Sequence, residues 1–153
     1  METNSAPFQV LVFPYRYTAD GKLEYAIFKR TDGDYWQAIA GGSRVGESPL
    51  EAAKREAFEE AGIPLESDYL PLDSMTTIPV IGICGYLYWG DDVLVVPEHC
   101  FGVLVQDHEI LLSKEHTDFR WVSYDEARDL LKWDSNRNAL WELDWRLLSR
   151  GNQ

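Results

Sequence analysis

The chain has 153 residues, 45% of them hydrophobic and 13% aromatic, and a formal net charge of −12. That apolar content supports one domain with a sizeable core and excludes a disordered chain, and no apolar run reaches the roughly 18 residues that span a bilayer. The acidic field opposes attraction to polynucleotides and anionic lipid, and it suits a protein that binds divalent cations.

The first ten residues, METNSAPFQV, have neither a basic nor an apolar leader region. Cys84 and Cys100 make no disulfide framework, so both are expected to be reduced thiols buried on strands, in a cytoplasmic setting. No repeat or linker divides the chain, and residues 1–153 read as a single domain.

In chain order, PFQVLVFPY at 7–15 reads as a buried strand ended by Pro14. Asp20-Gly21 marks a hairpin turn into a partner strand, Leu23 to Lys29. Thr31 to Asp34 is another turn, and Tyr35 to Ala40 a short strand leading into Gly41-Gly42. Ser48, Pro49 and Glu51 form a capping box with proline at the first helical position. The spacing predicts a helix from about Pro49 to Ala61, stopped by Gly62 and Pro64. Its apolar side is Leu50, Ala53, Ala57, Phe58 and Ala61. Two further strands are expected at Tyr69 to Val80, weakened by Pro71 and Pro79, and at Ile81 to Trp89. Cys100 to Val105 reads as a fully buried strand and Phe119 to Val122 as a short one, while Ile110 to His116 is ambiguous. Ser123 caps a helix through about Leu131, and a last helix starts at Ser135 or Asn136 and ends near Arg150-Gly151. Its apolar stripe is Leu140, Leu143 and Leu147 with Trp141, Trp145 and Leu148. Strands and helices alternate irregularly, which indicates a mixed fold rather than regular βαβ units.

The stretch Gly41 to Ile63, GGSRVGESPLEAAKREAFEEAGI, carries the chemistry. On the predicted helix Glu56, Glu59 and Glu60 fall at i, i+3 and i+4, or roughly 0°, 300° and 40° around the axis. Three carboxylates on one face repel one another unless a cation occupies the face. Oxygen ligands without a nearby His or Cys suit a hard ion, Mg²⁺ or Mn²⁺, and not zinc. Such an ion with open positions takes substrate phosphates, neutralises their oxygens and turns water into a nucleophile near neutral pH. Glycine before the helix allows a backbone carbonyl to approach closely. Arg55 lies four residues before Glu59 and can pair with it.

The complete pattern is Gly41, five residues, Glu47, seven residues, Arg55-Glu56, an apolar residue, any residue, Glu59-Glu60, any residue, Gly62 and an aliphatic residue. It resembles the Nudix box, GX5EX7REUXEEXGU, at every fixed position, with Ala57 where a bulkier aliphatic is commoner. The resemblance implies an α+β Nudix fold, an α/β/α sandwich around a mixed sheet, and hydrolysis of a phosphoanhydride with Mg²⁺ or Mn²⁺. It implies Glu56, Glu60 and Glu59 as metal ligands, joined by the Gly41 carbonyl, with Glu47 and Arg55 orienting the site. Lys29-Arg30, Asp34-Tyr35-Trp36-Gln37, Glu115-His116, Arg120-Trp121 and Ser135-Asn136-Arg137 are similar to the bacterial dihydroneopterin triphosphate pyrophosphatases, also called dATP pyrophosphohydrolases. That match implies Glu115 as a further ligand from outside the box and Lys29 as a phosphate contact. Glu115 and Glu59 are both candidates for the general base.

Trp36 reads either as a base-stacking ring or as core. Trp133 sits at a possible pocket rim, and Arg137 can reach a phosphate or ring carbonyl, cap a helix or pair with Asp134. The expected partner is a small nucleotide-like molecule, a pterin or purine triphosphate cleaved to monophosphate and pyrophosphate, with no polynucleotide and no membrane, and the protein a monomer or homodimer. Pro79, placed near a proline of ADP-ribose pyrophosphatases, supports an ADP-ribose or nucleotide-sugar pyrophosphatase as the alternative. A non-catalytic nucleotide-binding regulator is the rival from another class, which an intact box disfavours.

Overall fold

The computed structural model describes residues 5–151; Met1 to Asn4, the start of the N-terminal stretch on which the expectation about a leader rests, lie outside them. The chain runs β1(Gln9–Tyr17), β2(Leu23–Arg30), β3(Trp36–Gln37), β4(Ile39–Gly42), α1(Pro49–Ala61), β5(Tyr69–Pro79), α2(Val80–Cys84), β6(Val95–Leu104), β7(His116–Val122), α3(Tyr124–Leu130) and α4(Asp134–Gly151). Seven strands form one mixed sheet in the order β3-β2-β1-β6-β5, with β4 paired to β1 and β7 to β2. The β1–β6 pairing is parallel and the remaining pairings are antiparallel.

Strand parity sends side chains to alternate faces. Val10, Val12, Ala26, Phe28, Ile39, Phe101 and Val103 pack under α1 through Ala52, Ala53, Ala57 and Ala61. Leu11, Phe13, Tyr15, Tyr25, Ile27 and Cys100 pack under α3 and α4 through Ala127, Leu140, Leu143 and Leu147. The result is the expected α/β/α sandwich. Alanines along α1 let its backbone lie close to the sheet, which brings its acidic edge to the strand ends.

Helix α1 begins and ends where the residues dictate. The Ser48 hydroxyl accepts from the Glu51 amide at 3.1 Å, and the Glu51 carboxylate accepts from the Ser48 amide at 2.9 Å. Gly62 closes the helix at φ 68°, a left-handed conformation that glycine adopts without steric cost. Phe58 departs from the expected apolar side: it is exposed, because the inner face is filled by the alanines and by Glu60.

Several expectations change. Pro14 does not end β1, which continues to Tyr17. β1 pairs with β4 over Gln9–Val12 and with β2 over Tyr15–Tyr17, so Pro14 falls in the gap between two antiparallel partners. Its missing N–H costs no ladder bond there. Ile81 to Trp89 is not a strand. The chain turns at Pro79 into the short α2, stopped by Gly85 at φ 84°, and Val80 donates to the Leu94 carbonyl at 2.9 Å to close the excursion. Cys84 therefore lies half-buried on a helix, whereas Cys100 is buried on β6 as expected. β5 tolerates Pro71 through a register shift between Pro71 and Met75. The amides freed at that bulge, Asp73 and Ser74, donate to the Glu142 carboxylate of α4 at 2.8 and 2.7 Å. On α4 only half of the expected stripe is buried: Leu140, Leu143 and Leu147 are core, while Trp141, Trp145 and Leu148 face outward. Trp141 and Trp145 stack on each other at 5.8 Å instead. Among the described residues no helix is long and apolar enough to cross a membrane.

Candidate active site

The loop between β4 and α1 folds back over the first turns of the helix, and Arg55 ties the two together. Its Nε donates to Glu47 at 2.8 Å, Nη1 to Glu56 at 3.0 Å and to Glu59 at 3.3 Å, and Nη2 to the Gly42 carbonyl at 3.0 Å and to Glu47 at 3.1 Å. The sequence-expected pairing with Glu59 is thus one spoke of a five-bond hub. A planar guanidinium fits such a fan of acceptors, where an ammonium would not. Arg55 holds Glu47 below the usual carboxylate range, and Glu47 in return raises Arg55. Glu47 also accepts from the Arg44 amide at 2.8 Å, which fixes the loop, and Arg44 Nη2 stands 3.6 Å from Glu59.

Glu56 and Glu60 face inward from the same turn. Burial raises the Glu56 carboxyl to about 7, against the opposing pull of Arg55. Glu60 is 2% exposed and neither of its carboxyl oxygens has a hydrogen-bond partner. Burial raises it strongly, and the facing Glu115 adds to the shift. Two carboxylates can hydrogen-bond only through a proton, so this contact is repulsive unless a proton or a cation lies between them. Burial is what pushes Glu60 toward the protonated form, while the contact with Glu60 holds the exposed Glu115 below the usual carboxylate range.

Glu115 reaches this place through the 110–115 segment. Leu111 and Ser113 donate to the Ala61 and Glu60 carbonyls at the end of α1, at 2.9 and 3.1 Å, and Thr31 donates to the Glu115 carbonyl at 2.9 Å. The free carbonyls of a helix C-terminus are natural acceptors for such a strap. What the sequence left ambiguous at Ile110 to His116 is a loop hung on α1 that delivers Glu115 beside Glu60.

Gly41 has no room for a side chain: a Cβ there would overlap the Glu56 carboxylate. Gly41→Ala is therefore expected to displace Glu56 and lower divalent-cation affinity about 10–100-fold, the scale for disturbing a ligand's support. Helix content by circular dichroism should be unchanged. Calorimetric titration with Mn²⁺ checks it, and wild-type affinity in the variant would refute the contact.

Two cavities border β4. One, of about 290 Å³, is lined by Gly42, Ser43, Arg44, Arg55, Glu56, Glu59 and Glu115, among others. The other is a cleft of about 570 Å³ whose lining includes Gln9, Gln37, Ala40, Glu98, Trp133 and Asn136. Ala40 and Gly42, two residues apart on β4, line the cleft and the acidic cavity respectively, roughly 7 Å apart along the strand. A molecule with a ring in the cleft can therefore extend phosphates toward the carboxylates.

The structure brings Glu47, Arg55, Glu56, Glu59, Glu60, Glu115 and Gly41 together. Trp133, 43% exposed, stands at the cleft with its indole N–H donating to Gln37 at 3.2 Å. Three expected contacts are not among the residues lining either cavity. Trp36 is buried beneath the Arg120 guanidinium, 4.9 Å from the ring centroid, and so takes its core reading. Lys29 is paired with Asp34 at 2.6 Å. Arg137 bonds Asp134 and the Leu131 carbonyl, its capping and pairing role. Of the cleft wall, Gln9 and Glu98 were not singled out, and Gln37 only within the Asp34-Tyr35-Trp36-Gln37 match. Glu98 had one signal: a lone acid at the inward parity of Val96 and Cys100, both apolar and buried.

Among the described residues no three His, Cys, Asp or Glu side chains converge into a cage as they stand. Arg55 Nη1 bridges Glu56 and Glu59 and holds them on itself. The donor set still fits a hard divalent ion. Glu60 offers two buried oxygens with no other partner, Glu56 lies in a cradle that only glycine leaves open, and all the charged donors are oxygen.

Among known proteins, the NUDIX domain family matches residues 16–142. A dihydroneopterin triphosphate diphosphatase of Haemophilus influenzae is 28% identical over 126 residues, 81% of this chain and 80% of its own length. An asymmetrical bis(5'-nucleosyl)-tetraphosphatase of Sus scrofa is 27% identical over 132 residues, 78% of each chain. A crystal structure from Listeria monocytogenes, described provisionally as a NUDIX hydrolase, is 39% identical with a TM-score of 0.85, covering 95% of this chain and 97% of that one.

Proposed function

We propose that this chain, which belongs to the Nudix family of hydrolases, is a Mg²⁺- or Mn²⁺-dependent pyrophosphohydrolase that cleaves a pterin or purine nucleoside triphosphate to the monophosphate and pyrophosphate. The observation that carries the reading is Glu60, a buried carboxylate whose two oxygens have no partner, facing Glu115 and set beside Glu56. Only a cation or a proton makes that arrangement stable, and the adjoining cavity gives polyphosphate room to supply the remaining ligands.

Glu56, Glu60, Glu59, Glu115 and the Gly41 carbonyl would hold the ion. When bound, it supplies charge neutralisation at the phosphate oxygens and lowers the pKa of water. Arg55 and Glu47 keep the loop and helix in register, so the carboxylates do not splay under mutual repulsion. Glu59 is tied to Arg55 and Arg44. Glu59 and Glu115 are both exposed and line the open cavity, and the tie of Glu59 to the two arginines favours Glu115 as the group that takes the proton from attacking water. The cleft holds the ring beside Trp133 and Gln37, and residues 1–153 act as one domain.

Incubation with Mg²⁺ and a panel of dihydroneopterin triphosphate, purine triphosphates, ADP-ribose and dinucleoside polyphosphates tests the reading. Pyrophosphate release from a triphosphate is expected. Pro79 lines the cleft and favours the second reading: cleavage of ADP-ribose into two monophosphates, with triphosphates untouched, would replace the first.

A further inference from the structure

Glu98 belongs to neither the box nor its bracing. It lies in mid-sheet, opposite Gln9 of β1 and Thr76 of β5. Its parity is that of Cys100, which packs in the α4 core, so an apolar residue would be the cheap choice at this position. Instead a carboxyl group stands there, 5% exposed, on the wall of the 570 Å³ cleft, and its Oε1 has no hydrogen-bond donor. Burial raises this carboxyl to about 7 with no arginine or lysine to offset it. Two neighbouring acceptors of the cleft are, by contrast, already engaged. Gln37 Oε1 accepts from Trp133, and Asn136 Oδ1 accepts from the Ala38 amide at 2.9 Å. Glu98 is thus a buried acceptor aimed into a ring-sized space and left for something outside the chain to satisfy.

We propose that Glu98 is the specificity-determining residue of the ring pocket, and that it takes an amidine-type edge, a ring N–H beside an exocyclic amino group, as carried by guanine and 2-amino-4-oxopterin. A carboxylate accepts two parallel N–H bonds from such an edge. Adenine presents a bare ring nitrogen beside its amino group and would leave two acceptors facing each other; cytosine does likewise. Hypoxanthine keeps the ring N–H and lacks the amino group. The assignment rests on the triphosphatase reading for biological meaning, but the pocket can be examined without turnover.

The test is binding of guanosine and inosine 5′-monophosphates, without metal, followed by quenching of tryptophan fluorescence, for the wild type and Glu98→Gln. The two ligands differ by one amino group. Wild type should bind the guanosine ligand about tenfold or more tightly than the inosine ligand, the scale for a buried acceptor left unmet. In E98Q that ratio should collapse to about one to two, mostly through loss of the guanosine ligand, because the amide presents a single acceptor and a donor. The replacement is isosteric, and a thermal midpoint within a few degrees of wild type establishes folding. No preference in the wild type, a preference retained in E98Q, or no guanosine binding at all would overturn the assignment. Loss of pyrophosphate release with the binding preference intact would instead strike the triphosphatase reading alone. Hydrolysis of GTP against ITP with Mg²⁺ should follow the same ratios in kcat/KM.

Discussion

Glu60→Gln should reduce metal-dependent turnover by about 10²–10³-fold or more, the scale for losing one preorganised electrostatic partner, while the apo protein becomes no less stable. A buried carboxyl that must either carry an unpartnered charge or hold a proton against its ordinary tendency is removed, so the apo thermal midpoint should stay or rise, and the gain in midpoint on adding Mg²⁺ should shrink. The pH dependence has a defined sign. The folded-state Glu56 and Glu60 carboxyls are both raised above their ordinary value, so their contribution favours folding below about 4.5 and is lost as pH climbs through the raised values. Between pH 5 and pH 8 the apo wild type should therefore lose more stability than apo E60Q. The difference between the two proteins cancels titrating groups remote from the site and leaves Glu60 with the groups coupled to it, Glu56 and Glu115. Full activity in folded E60Q, or an identical pH slope, would remove Glu60 from the site.

Arg55→Ala should cost about 2–4 kcal/mol of apo stability, somewhat under the cost of breaking a fully buried pair because Glu59 is exposed. At this chain length that is a fall of roughly 5–15 °C in thermal midpoint. Five hydrogen bonds are lost together, and Glu47 and Glu56, each less than a fifth exposed at the side chain, are left without their counter-ion. Arg55→Lys should recover only part of this, since a point charge cannot bridge Glu47, Glu56, Glu59 and the Gly42 carbonyl at once. Thermal unfolding in low and high salt checks it, with the deficit persisting at high salt because the pairs are partly buried. An R55A midpoint within a degree of wild type would show that the hub is ornamental.

The stretch from Gly41 to Ile63 was legible because its pattern is local. Capping at Ser48, the stop at Gly62 and the shared face of Glu56, Glu59 and Glu60 all follow from i, i+3 and i+4 relations within one helix. Glu115 was reached by resemblance. What physically delivers it is a loop hung on the Glu60 and Ala61 carbonyls, and no periodicity marks such a strap. Ile81 to Trp89 failed for a related reason. An apolar run read as a strand had no edge to pair with, because β6 returns directly onto β5 and the intervening glycines fold the excess into turns. Trp36 and Arg137 show the limit for single residues. Both have the right chemistry for a ligand, and each is spent on a neighbour that lies far off or a few residues away, Arg120 and Asp134. Glu98 was overlooked because one acid between apolar residues of its parity carries no pattern, only position.

The placement of β1 has a consequence for how the molecule comes to exist. Its partners are β2 and β4 on one side and β6, at Val95–Leu104, on the other. The central strand is therefore complete only after two thirds of the chain is available, and long-range parallel pairing of this kind is slow relative to local helix and hairpin formation. During synthesis the β1–β2 hairpin and α1 are free to form well before β6 emerges, so a half-made sheet with an open β1 edge and a self-repelling helix must persist for that interval. Arg55 lies within α1 and its partners Glu47, Glu56 and Glu59 lie within eight residues of it, so the loop and helix carry their own counter-charge through that wait. Refolding should accordingly be limited by the docking of β6 onto β1, the event that joins the β5–β6 pair to the β1–β2 and β4 half of the sheet.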